Sequence, residues 1–304
     1  MNKINQGIIL FKMNRSLLSD YFSENQTKTE FRNCDSWVIL SPIEQSIKRK
    51  IEEVGTPLKD WNINIYRGIL TGYNEAFIIS GEKRTELLAA CGTEKERIRT
   101  DELIRPILRG RDIKRYNYEF ADLWLINTHN GIKEKGISRI DIGDYPTIKA
   151  HLDQYWDQIS TRADKGDTPY NLRNCAYMDD FNKQKIVWGN LNLTASFAYA
   201  PEGMYINAPA TMIVPYDKAI LAILNSKLAD YYIRNLGVTR NGGYFEYKPM
   251  FIEKLPIPSS IQSMGLDILL DQQLNGYDVE NQINQKIYEI FDLSIDEIKV
   301  IEGN

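Results

Sequence analysis

Between Arg105 and Arg115 the chain concentrates cations. Arg105, Arg109, Arg111, Lys114 and Arg115 face a single acid, Asp112, with Gly110 among them. Such a cluster suits phosphate oxygens, and a planar guanidinium can also bind guanine through two parallel hydrogen bonds. Gly110 would let the backbone come close to a partner. The competing reading is a solvated loop in which arginines and Asp112 form structural ion pairs. A second basic set, Arg162, Lys165, Arg173, Lys183 and Lys185, is interrupted by Asp164, Asp167, Asp179 and Asp180. A folded-state ion-pair network is an equal rival there.

Polar side chains near expected turns extend the candidate surface. Arg67, Thr71, Tyr73 and Asn74 fall at a predicted hairpin tip, where an asparagine either holds the turn or reads adenine. Asn190, Asn192 and Thr194 follow a strand and offer either base-edge contacts or a strand cap. Arg240, Asn241, Gly242 and Gly243, with Tyr244 and Lys248 beyond them, form a basic, glycine-rich tip able to approach a phosphate backbone.

The elements that must hold these residues are legible in part. Ser41, Pro42 and Glu44 form a capping box before an apolar face of Ile43, Ile47, Ile51 and Val54, ended by Gly55 and Pro57. Ile63–Thr71 and Glu75–Ser80 look like paired strands around the turn Thr71–Asn74. Thr85–Cys91 reads as a short helix, Leu123–Thr128 as a buried strand, and Tyr145–Ser160 as one helix. Lys185–Leu193, Ser196–Tyr199 and Met204–Ile206 suggest a small antiparallel sheet turning at Pro201-Glu202-Gly203. Leu221–Ile233 has apolar residues at helical spacing, with Asp217 at its start, Arg234 near its end and Gly237 placed for a left-handed C-terminal residue. Tyr244–Pro258 reads as a strand, and the segment from Val279 onward is helical.

Size and charge set bounds. The 304 residues suffice for one large or two ordinary domains, and 43% hydrophobic with 26% charged residues is typical of globular chains. No apolar run approaches a membrane span, and the N-terminal apolar stretch Ile8–Phe11 is too short for a secretory signal. Cys34, Cys91 and Cys175 are widely spaced, and with His129 and His151 they offer no metal-site spacing, which favours a reducing cytoplasm. The net charge of −4 conceals an asymmetry. Residues 261–304 hold nine acids against Lys286 and Lys299, so residues 1–260 are net basic. The expected organisation is therefore a linker over residues 1–35 that connects upstream, a basic body over 36–260, and an acidic helical tail over 261–304.

Ordered blocks then carry a family resemblance. Ile65–Ile79 (IYRGILTGYNEAFII), Leu103–Tyr116 (LIRPILRGRDIKRY), Tyr170–Trp188 (YNLRNCAYMDDFNKQKIVW), the LNSKL helix followed by YKPMFIEKLPIP, and Tyr288–Glu302 (YEIFDLSIDEIKVIE) recur in that order. Together they resemble the TaqI-like C-terminal specificity domain, the target recognition domain of adenine-N6 DNA methyltransferases and type IIG restriction–modification enzymes. The resemblance implies sequence-specific double-stranded DNA binding and partnership with a methyltransferase domain of the same or another chain. S-adenosylmethionine would bind in that domain. It also implies an α+β fold with a mixed, mostly antiparallel, partly barrel-like sheet, flanking helices and a helical tail. The (D/N/S)-P-P-(Y/F) and F-x-G-x-G motifs of the catalytic part do not occur in the sequence, nor does a G-x-x-x-x-G-K-[ST] loop. The alternative is a scaffold that docks a methyltransferase or nuclease subunit in trans, to which the acidic tail would be suited.

Overall fold

The computed structural model describes residues 40–237 and 239–303. The expected linker over residues 1–35 lies outside them. In chain order the main elements are α1 (Pro42–Val54), β1 (Thr56–Pro57), β2 (Asn64–Arg67), α2 (Asn74–Phe77), β3 (Ile78–Ser80), α3 (Gly81–Ala89), α4 (Glu94–Leu103), β4 (Ile104–Leu108) and β5 (Leu123–Ile126). Then follow α5 (Pro146–Asp153), α6 (Trp156–Thr161), β6 (Lys185–Trp188), β7 (Leu191–Asn192), β8 (Phe197–Ala200), β9 (Tyr205–Ile206) and β10 (Thr211–Val214). The chain closes with α7 (Lys218–Leu224), α8 (Lys227–Leu236), β11 (Phe245–Glu246), α9 (Pro249–Ile252), β12 (Pro256–Ile257), α10 (Leu266–Leu274), α11 (Glu280–Ile290) and α12 (Ile295–Glu302).

A four-stranded antiparallel sheet, β2-β10-β6-β8, divides two hydrophobic cores. Alternate residues of a strand face opposite sides, and here both sides are covered. Ile186, Trp188, Phe197 and Ile213 enter a core shared with α1, α7, α8 and the three helices α10–α12. Val187, Ala198, Ala200 and Met212 enter a second core. That core is shared with the sheet β3-β5-β4-β9 and helices α2–α6. Double coverage explains why Ile186–Trp188 is apolar without alternation and the whole strand is buried. The α+β expectation holds, with mostly antiparallel pairing and a helical C-terminal part. Among the described residues the sheets remain open and no closed barrel forms.

The Ser41 capping box is present, with Ser41 Oγ accepting from Glu44 N and Glu44 returning to Ser41 N at 2.7 Å. Several expected connections differ. The segments around Thr71–Asn74 do not form a hairpin. β2 pairs with β10, and β3 pairs with β5 in the other sheet. The reason lies just after β2, where Ile69 N donates to Ile206 O and Asn74–Phe77 winds into a helical turn. Met204–Ile206 likewise leaves the antiparallel group, because β9 pairs in parallel with β4. Tyr145–Ser160 is two helices, since Tyr155 leaves the helical backbone and packs on Tyr73 and His151.

Leu221–Ile233 also splits into two helices. Asn225 ends α7 and pairs with the outer edge of β8 beside Tyr116, accepting from Phe197 N at 3.0 Å and donating to Phe197 O at 2.9 Å. Ser226 then caps α8 by accepting from Ala229 N. Gly237 is extended at φ −90° rather than left-handed, because the chain turns directly toward β11. Tyr244–Pro258 is not one strand. Its backbone serves β11, the turn α9 and β12, and β12 pairs with β1.

Candidate nucleic-acid interface

Two backbones meet where a cleft begins. A Cβ on Gly189 would lie 3.0 Å from Gly110 O, tighter than an ordinary contact, so glycine suits the close rest of the Arg109–Asp112 turn on the loop after β6. Tyr247 N donates to Asn190 O, and β11 pairs with β7, which seats a two-stranded ribbon beside that contact. Between turn and ribbon lies a cleft of about 890 Å³. It brings together Asn74, Arg109, Arg111, Lys114, Arg115, Asn190, Asn192, Tyr244 and Lys248 from segments far apart in sequence.

The cations in the cleft are not equivalent. Asp112, nearly buried, accepts from Arg109 three times, from its backbone N at 2.8 Å and from Nε and Nη2 at 2.9 and 2.7 Å. Burial alone would raise the Asp112 carboxyl, but those bonds outweigh it and hold the group below the usual carboxylate range. The guanidinium of Arg109 is correspondingly raised by its bond to Asp112. Arg115 is anchored to Glu280 at 2.6 Å and to Ala195 O at 3.2 Å. Lys114 is exposed, bonded to Arg111 O and only loosely paired with Glu119 at 3.7 Å. The exposed Arg111 makes no side-chain hydrogen bond or salt bridge among the described residues. Of the arginines that line the cleft it is the one without a side-chain partner among the described residues. Arg105 lies within β4, outside the cleft.

On the facing wall, Lys248 at 2.8 Å and Arg240 both pair with Glu246. Lys248 first, then Arg240, holds that carboxyl below its ordinary range. Asn74 Oδ1 accepts from Thr71 Oγ1 at 2.6 Å and from Asn207 Nδ2 at 3.5 Å, which leaves its NH₂ facing outward. Asn190 Oδ1 accepts from Thr211, and Asn192 Nδ2 donates to Gly189 O. Both asparagines therefore serve the loop while lining the cleft.

Other candidates lie apart from the cleft. Arg67 and Arg173 line a separate hollow of about 360 Å³, with Arg173 paired to Asp164. Thr71 and Tyr73 line a small hollow that shares Asn74, Asn207 and Ala208 with the cleft, although Thr71 itself is buried. Lys165 bonds to Ser160 O, and Lys183 pairs with Asp180. Arg240 and Asn241 belong to the tip of left-handed Gly242 and Gly243 beside the ribbon.

Two candidates must be corrected. Arg162 is 7% exposed, stacks on Phe77 and donates to the carbonyls of Thr71, Pro169 and Asn171. Lys185 is wholly buried and donates to Pro201 O and Met204 O. Both are buried and the bonds they make go to backbone carbonyls, so neither is available to a ligand. Sequence reasoning in turn missed Leu191, Leu193, Asn207 and Gly189, which line the cleft. The alternation in Leu191-Asn192-Leu193 was the available signal, since it places two leucines on one strand face.

The TaqI-like C-terminal specificity domain matches this sequence over residues 105–257, half of the chain. The chain belongs to that family. The matched span holds most of the specificity domain's cleft, from Arg109 to Lys248. The fold is similar to that of the type IIL restriction–modification enzyme MmeI, solved in complex with DNA. The TM-score is 0.61 at 10% identity, over 82% of this chain and 36% of that one. It is also similar to the type IIG restriction endonuclease BpuSI, with a TM-score of 0.51 at 14% identity, over 86% of this chain and 31% of that one. The chain thus spans about a third of each of these enzymes. No curated protein matches the sequence. Among the described residues no helix is long and apolar enough to cross a membrane.

Proposed function

We propose that this chain is the double-stranded DNA recognition module of an adenine-N6 DNA methyltransferase or combined restriction–modification enzyme. Catalysis would belong to a methyltransferase part in the same or another chain, in the cytoplasm. The observation that carries the reading is the cleft, where Arg111, unpaired among the described residues, and a loosely held Lys114 meet polar side chains from four other segments. Phosphates would be met by Arg111, Lys114 and Lys248, and base edges by Asn74 and Asn190. Residues 36–260 would carry these contacts and 261–304 would support them. The cleft does not suit S-adenosylmethionine itself, because its sulfonium would meet cations and the lining carboxylate Glu246 is already taken by two of them. The methyl donor would therefore bind in the catalytic part.

The test is binding to duplex DNA across a salt series. Affinity should fall steeply with salt, and Arg111→Ala and Lys114→Ala should each lower the log–log slope by about 0.9. Slopes unchanged in both variants would remove the cleft from the DNA path. A second reading, docking of a catalytic subunit, draws on Ile268, Tyr277 and Ile295, which are exposed apolar residues in the acidic C-terminal segment. Substituting these three should weaken association with that subunit and leave the salt slope intact.

A further inference from the structure

One wall of the cleft is apolar. Leu191 and Leu193 are each 54% exposed and Tyr244 is 43% exposed, and all three line the cleft. The register explains why they share a face. Leu191 pairs with Glu246 and Asn192 with Phe245 across the ribbon. Directly opposed residues point to the same side, and successive residues alternate. Leu191, Leu193, Tyr244 and Glu246 therefore face the cleft. Phe245 turns the other way, toward the helical core, with the Arg234 guanidinium 4.3 Å above its ring. Leu193 also reaches the glycine tip, for a Cβ on Gly243 would lie 4.0 Å from its Cδ2. The one acid on this face, Glu246, is countered by Lys248 and Arg240, so the face carries no net negative charge.

We infer that this ribbon enters the major groove of DNA and that Leu191, Leu193 and Tyr244 read the C5-methyl groups of thymine. The inference rests on the DNA-recognition reading above and gives it chemical content. A two-stranded ribbon fits the major groove, and the apolar feature displayed there is the thymine methyl. The flanking Arg111, Lys114 and Lys248 are placed for phosphates on either side of such a groove. A protein partner of apolar surface would instead have to bury the Arg111 guanidinium without a counter-charge, which is costly.

The experiment selects duplexes from a randomised pool with the full chain, then resynthesises the selected site with deoxyuridine at each thymine in turn. Burying one methyl-sized group corresponds to about a fourfold affinity change. The wild type should lose about that factor at one or two positions. Leu191→Ala and Leu193→Ala alter exposed side chains, so they should fold normally; they should erase the deoxyuridine penalty while keeping the salt slope. Three results would overturn the inference. The wild type could be indifferent to deoxyuridine at every position, the variants could keep the full penalty, or the selected site could contain no thymine. Each would leave the strip as a protein-docking surface. If no duplex is selected and binding is indifferent to salt, the DNA-recognition reading fails, and the methyl reading fails with it.

Discussion

Asp112 sorts the cations around it. Its carboxylate is nearly buried and takes Nε, Nη2 and the backbone N–H of Arg109, while the exposed Arg111, two residues later, has no side-chain partner among the described residues. Arg109→Ala should therefore act on stability. It leaves a buried carboxylate underbonded, at about 1–3 kcal/mol, and lowers the urea midpoint. Arg111→Ala should leave that midpoint unchanged and act on DNA affinity alone. Because the folded-state carboxyl of Asp112 is depressed, its contribution is present above its unfolded pKa of about 3.9. It is lost as pH falls through the lower folded value. The charge cluster itself was legible from residue types. The pairing inside it was not, because burial decides it. The same holds for Arg162 and Lys185, whose carbonyl partners include Thr71, remote in sequence, and Pro201 across the β6–β8 pair.

At the scale of elements, capping and apolar spacing were read more easily than strand partners. The Ser41 box and the helical segments appear where their local chemistry puts them. The hairpin around Thr71–Asn74 does not, since the choice between a near and a distant strand depends on Ile206 and Thr211–Val214. The LNSKL segment shows the same limit. Its leucines keep helical spacing through a break, and the break exists because the Asn225 amide completes the edge of β8 at Phe197. Asn225→Ala should cost about 1–3 kcal/mol, because it orphans the buried N–H of Phe197, while Phe197 O keeps its bond from Tyr116 N. Urea unfolding measures the loss, and faster hydrogen exchange at Phe197 locates it. A loss without change at that amide would mean that Asn225 acts only as the end of α7.

For the whole molecule, the acidic C-terminal helices share a core with the body. Leu266, Leu270, Ile283, Ile287 and Phe291 pack into the same cluster as Ile47, Ile51 and Trp188. Composition alone marks only the change of charge there, since net charge says nothing of which apolar face is covered. The last helix is fastened to the first by one carboxylate. Glu297 accepts from Ser46 Oγ at 2.7 Å, from Lys50 Nζ at 2.9 Å and from Ser294 N at 2.7 Å. Burial would raise its pKa, but these bonds prevail and bring it down to about 2. A depressed carboxyl contributes stability that is present above its unfolded pKa of about 4.3 and lost as pH falls through the folded value. Glu297→Gln keeps the shape and removes the charge. It should lower the melting temperature at neutral pH and flatten the wild type's loss of stability between about pH 4 and 2. Lys50→Met should reproduce part of the same flattening by removing one donor. An unchanged acid limb in both variants would show that the Glu297 carboxylate is incidental and that α12 is held by its other contacts, Ile298, Val300 and Ile301 among them.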